Sequence, residues 1–145
     1  MSEQALKNAI PQELIKKEVV GTFDVSIHSG AIDTAGVTIS EFFGINPGEA
    51  IRNAKIIGQT DFEGTSATIS VGTEADDPDN ILDDTAITGL TAAHRVDGIP
   101  TPETISTWVE NTGTTFLPVK VQVKTTALTA GKMDVILEIV KLKDL

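Results

Sequence analysis

The sequence predicts an all-β fold, an antiparallel β-sandwich or jelly roll, on three observations. Thr, Val and Ile are abundant and Gly is frequent, while Leu and Ala do not dominate. β-Branched side chains are stiff at χ1 and pack well on a pleated surface. Apolar and polar residues alternate with period two in several segments, most clearly where Val119, Val121 and Val123 alternate with Lys120, Gln122 and Lys124. Turn residues separate these segments, as in Asn46-Pro47-Gly48 and Asn111-Thr112-Gly113-Thr114. Short strands with loops between them are the signature of the sandwich and jelly-roll architectures. The 145 residues suit one domain with a core of its own.

The elements follow in chain order. Residues 1–17 differ from the rest. Leu6, Ile10 and Leu14 recur at helical spacing, but Pro11 interrupts a continuous helix, so this segment is expected to be an N-terminal arm or a short broken helix. The sandwich is expected over 18–145. Phe23, Val25 and Ile27 alternate with Asp24, Ser26 and His28 and predict one strand with a buried face. Val37 and Ile39 predict another. Ala54 to Phe62 and Ala67 to Val71 predict two strands joined by Glu63-Gly64, an antiparallel hairpin or near-hairpin. Asp79 is placed to cap a short helical turn carrying Ile81 and Leu82. Ile87, Leu90 and Val96 give weak strand signals, and Ile99-Pro100-Thr101-Pro102 is a stiff connector. Ile105, Thr107 and Val109 alternate again. Phe116 to Val140 predicts a final hairpin, its second strand the most apolar stretch of the chain.

Charge and composition exclude several classes of function. The net charge is −10 and the 11 basic residues are scattered, so no nucleic-acid partner is expected, because phosphate affinity comes from Lys and Arg. No apolar run approaches the roughly 20 residues a membrane helix needs, and no signal peptide is expected at residues 1–15. Cys and Tyr are absent and Trp108 is the single Trp. That removes thiol chemistry and leaves few aromatic faces for stacking bases or gripping sugars.

No catalytic, cofactor or metal site is expected. A jelly-roll metalloenzyme needs several inward-facing His with a carboxylate. This chain has only His28 and His94, each expected to be an ordinary surface histidine. No Gly-x-Ser-x-Gly elbow and no phosphate-binding loop occur. Asp76, Asp77, Asp79, Asp83 and Asp84 form one acidic cluster, whose oxygens would suit Ca²⁺. It lacks the Gly and the final Glu of an EF-hand loop, and a solvated loop with a capping Asp is the favoured reading.

The region from Ile45 to Leu145 resembles small virion proteins of tailed bacteriophages, of the head-decoration or capsid-cement type. The resemblance lies in Asn46-Pro47-Gly48-Glu49-Ala50-Ile51, Ala54-Lys55-Ile56-Ile57, Thr65 to Thr73, Asp76-Asp77-Pro78-Asp79 and Leu128 to Val135. It implies a jelly-roll protein that binds the lattice of the major capsid protein on the outer capsid surface, as a homotrimer. Residues 1–44 contribute little to it. The arm is expected to supply the attachment, through Leu6, Ile10, Leu14 and Ile15, which are too few to form a core of their own. Two other classes compete: a head-fibre, neck or tail component, including a receptor- or glycan-binding module, and a jelly-roll enzyme. The scarcity of aromatics counts against the glycan reading, and the His count against the enzyme.

Overall fold

The structure is a computed structural model and describes residues 16–91, 95–98 and 108–142. It is mostly β, with two antiparallel sheets and a short two-stranded ribbon. The larger sheet contains β1 (Lys16–Asp24), β4 (Glu49–Glu63), β7 (Arg95–Gly98), β8 (Val109–Glu110) and β11 (Ala130–Lys141). Its order is β1-β11-β4-β7, with β8 also paired to β4. The smaller sheet contains β2 (Val37–Thr38), β5 (Thr68–Gly72), β6 (Leu82–Ala86) and β10 (Lys120–Lys124), in the order β2-β10-β5-β6. The ribbon pairs β3 (Gly44–Ile45) with β9 (Leu117–Pro118).

The alternation seen in the sequence sets which side chains turn inward. On β11, Met133, Val135, Leu137 and Ile139 are fully buried, while Lys132, Asp134, Ile136 and Glu138 point the other way. Val121 and Val123 of β10 are buried, as is Val119 just before it, and Gln122 on the other face is covered as well. The buried apolar residues meet Ile56 and Phe62 of β4, Ile69 and Val71 of β5 and Phe23 of β1 in one hydrophobic cluster that draws on both sheets. Asn46-Pro47-Gly48 forms the expected turn, closed by a 3.1 Å bond from the Glu49 N–H to the Asn46 carbonyl. Gly48 adopts φ 81°, which suits a residue without a Cβ.

The pairing departs from the sequence expectation in two places, for one reason. The strands expected to form hairpins belong to different sheets: β4 pairs β11, β7 and β8, whereas β5 pairs β10 and β6. Likewise β10 pairs β5 and β2, while β11 pairs β1 and β4. The segments 64–67 and 125–129 are therefore arches that carry the chain from one sheet to the other. Ser66 (φ 60°) and Thr125 (φ 77°) hold the left-handed backbone in these arches. Period-two alternation reports the buried face of a strand and is silent on its neighbour.

Three local corrections follow. The strand expected through Ile27 stops at Asp24, and Val25–His28 is a one-turn helix, α1. Asp24 caps it, accepting the Ser26 N–H at 2.9 Å, so Val25 stays buried but Ile27 turns out to solvent. The helical turn expected at Ile81 and Leu82 is absent. The Ile81 N–H bonds the Val71 carbonyl at 3.0 Å instead, and Leu82 opens β6. Ile87–Gly89 is a 3-10 turn in place of a strand, closed by the Leu90 N–H on the Ile87 carbonyl. At the other end of β1, Lys16 and Lys17 already pair with Val140 and Ile139, two residues ahead of the change of pattern at Glu18.

Candidate binding surface

The acidic segment is held by a cation of the protein itself. Lys124, on the outward face of β10, places Nζ 2.6 Å from Asp77 Oδ1 and 3.1 Å from Asp84 Oδ1. The hydrogen bond that Lys124 donates to Asp77, with the charges of both carboxylates, pushes the Lys124 ammonium above its ordinary range against the cost of desolvation. Asp77 (φ 52°) and Asp84 (φ 40°) both adopt left-handed backbone, which Asp tolerates better than most residues. The Asp77 N–H bonds the Thr34 carbonyl at 2.7 Å, and Asn80 closes the segment on Thr73 through two bonds of 2.9 and 2.8 Å. Asp79 shares a hydrogen bond with Glu74, which raises its carboxyl above the ordinary value.

The loop is thus clamped to the small sheet, and Asp79 caps no helix. Among the described residues no group of three or more His, Asp or Glu is arranged to hold a metal ion. Lys124→Met is expected to lower stability by about 1 kcal/mol, the sum of two ion pairs whose carboxylates are exposed. Millimolar Ca²⁺ is expected to leave the melting temperature of the parent unchanged. Thermal melts check both, since a cation bound only by the folded state would raise it.

His28 is half-buried and brackets two backbone segments, a structural part that the expectation of an ordinary surface histidine did not include. Its Nδ1 accepts the Asp24 N–H at 3.0 Å, so the ring proton sits on Nε2, 3.0 Å from the Ile39 carbonyl. The ring stacks on Phe23 with centroids 5.7 Å apart. Both nitrogens are engaged by backbone. Asp24 also accepts the Ser26 hydroxyl at 2.7 Å, and this bond is the main cause that holds its carboxyl below the ordinary 3.8. His94 lies outside the described residues.

The bond to Ile39 joins α1 to the turn Ser40–Phe43. Ser40 shapes that turn twice: its hydroxyl accepts the Phe42 N–H at 3.1 Å and its carbonyl the Phe43 N–H at 3.2 Å. Phe43 is buried over Gly21, where a Cβ would lie 2.8 Å from the ring. Its neighbour Phe42 is 81% exposed, and Ile27 on α1 is 74% exposed. The sequence reading missed this surface. The Phe42-Phe43 doublet was the available signal, because in extended or turning chain adjacent residues face opposite ways.

A shallow concavity on the outer side of the large sheet is lined by Glu18, Asn53, Lys55, Ile136 and Glu138. No helix among the described residues is long and apolar enough to cross a membrane. Leu6, Ile10, Leu14 and Ile15 lie outside the described residues.

Comparison with known proteins yields one structural likeness. No family model matches the sequence, and no curated protein matches it. Among solved structures, the fold is similar to a chain of the cyanophage Pam1 capsid asymmetric unit. The TM-score is 0.60 at 15% identity, covering 88% of this chain and 85% of that one.

Proposed function

We propose that this chain is a structural virion protein, a capsid cement protein that decorates and stabilises a bacteriophage head by binding the major capsid protein lattice. The observation that carries the reading is the fold likeness to a chain of a cyanophage capsid asymmetric unit over most of both chains. In this reading the two sheets and their shared core are the β-sandwich of a jelly roll. The molecule sits on the outer capsid surface as a homotrimer, a closed cyclic assembly that suits a symmetric lattice. It is not an enzyme and uses no cofactor, in keeping with a His28 engaged on both nitrogens and an acidic loop clamped by Lys124. The arm residues Leu6, Ile10, Leu14 and Ile15 attach it to the capsid or to a neighbouring copy, ordering as they bind.

Co-sedimentation with capsids stripped of this chain tests the reading. The full chain is expected to pellet with them at a fixed ratio and to raise their resistance to heat. Deleting residues 2–15 is expected to leave the melting of the free protein almost unchanged and to weaken capsid occupancy. Undiminished occupancy rejects the arm as the attachment device. Binding to purified tails in place of heads would assign the chain to the tail.

A further inference from the structure

We propose that Ile27 and Phe42, exposed side chains on two segments joined by the His28–Ile39 bond, are the anchors by which the chain docks on another protein that presents an apolar hollow with a basic rim.

The first argument is local. Phe23, Val25 and Ile27 carry a strand pattern that would bury Ile27. The chain overrides it. Asp24 caps α1, His28 bonds the Asp24 N–H and the Ile39 carbonyl, and Ser29 ends the helix at φ 83°, a conformation costly for a residue with a Cβ. The outcome is an isoleucine held in water. Departures from local pattern and strained backbone concentrate where function demands them.

Phe42 repeats the theme. Ser40 fixes the backbone of its turn, Phe43 anchors that turn in the core, and Phe42 is left projecting. The His28 bond to the Ile39 carbonyl couples the two supports. An aromatic on a rigid mount loses little entropy on binding, the property expected of an interface anchor.

The second argument is electrostatic and identifies the partner. From Glu18 to Ile51 the chain contains no Lys or Arg. Asp24 caps α1, Asp33 follows the exposed Ile32, and Glu41 directly precedes Phe42. Lys132 lies in register opposite Asp24 and offsets that one charge. Apolar anchors among carboxylates call for a hollow ringed by Lys or Arg. The same face on a second copy is a poor match, since it would bring the same carboxylates and no Lys or Arg.

The probe for the test follows from the capsid reading, on which the choice of partner rests. Capsids lacking this chain are titrated with the full-length parent, an Ile27→Ser/Phe42→Ser double variant and Glu41→Lys, with melting temperatures measured in parallel. The double variant is expected to melt with the parent and to bind at least about tenfold more weakly. Glu41→Lys is expected to weaken binding more at low salt than at high salt. Equal binding by parent and double variant overturns the docking face and leaves the capsid reading standing. An arm deletion that abolishes binding beside an unaffected double variant does the same. A parent that fails to bind overturns both. Sedimentation of the free protein is the last arm: an oligomer that Phe42→Ser dissolves gives the face to a second copy and overturns the assigned partner.

Discussion

Leu137→Ala is expected to lower the unfolding free energy by about 2–5 kcal/mol, the range for truncating a buried leucine. Leu137 lies mid-way along β11, fully buried, opposite Val19 of β1 and Ala54 of β4. Those neighbours belong to the strands that flank β11, so relaxation into the cavity would have to move the centre of the large sheet. The loss is a large share of a total of roughly 5–15 kcal/mol. Urea denaturation checks it: the midpoint should fall with little change in slope. A change under about 0.5 kcal/mol, typical of surface positions, would contradict the burial.

Gly131→Ala is expected to cost about 2–6 kcal/mol, combining backbone strain and overpacking of about 1–3 kcal/mol each. Gly131 has φ 133°, which L side chains rarely adopt. A Cβ there would lie 2.1 Å from Phe62 Cδ1. The position coincides with a register shift between β11 and β4, where Ala130 opposes Glu63 but Lys132 opposes Thr60. The glycine lets β11 bulge as it enters the sheet while Phe62 fills the space beneath. Pairing Gly131→Ala with Phe62→Ala tests the steric share. Removing the ring should recover only part of the loss, because a Cβ at 131 would also lie 2.7 Å from the Phe62 Cα.

The strands were legible wherever alternation was clean. Val119, Val121, Val123, Ala67, Ile69, Val71 and Met133 to Ile139 bury the apolar face that the sequence implies. The second face of the small sheet is not open, because Gln122 and Ser70 are buried under the segments that hold Thr34 and Asp84. The partners of those strands were not legible. Segments 64–67 and 125–129 have the length of hairpin loops, and whether such a loop turns back or arches over depends on a few dihedral angles. Here Ser66 and Thr125 hold the left-handed positions, with no Gly or Asn at either place to announce them. At α1 the capping Asp24 and its Ser26 partner were in view, but polar residues at those positions also fit the outward face of a strand. His28 carried no sequence sign of its structural part, since both of its partners are backbone groups. The candidate docking surface stayed hidden because it depends on where a strand breaks.

The position of β11 between β1 and β4 sets an order of events during synthesis. β1 leaves the ribosome well before β11 and finds its pairing partner only after the chain has run to residues 132–140. The Thr22 hydroxyl bonds Asp134 across 112 positions of sequence. At about 5–20 residues per second, the wait is on the order of ten seconds. Through that interval β1 and β4 both expose unpaired edges with no β11 between them, a template for association with other nascent chains. The arches add to the delay, because they remove two local hairpins that could otherwise have formed first. Refolding of the purified protein should accordingly be slow for its size and sensitive to concentration. Expression yield should respond more to temperature and to chaperones than the stability of the finished fold would suggest.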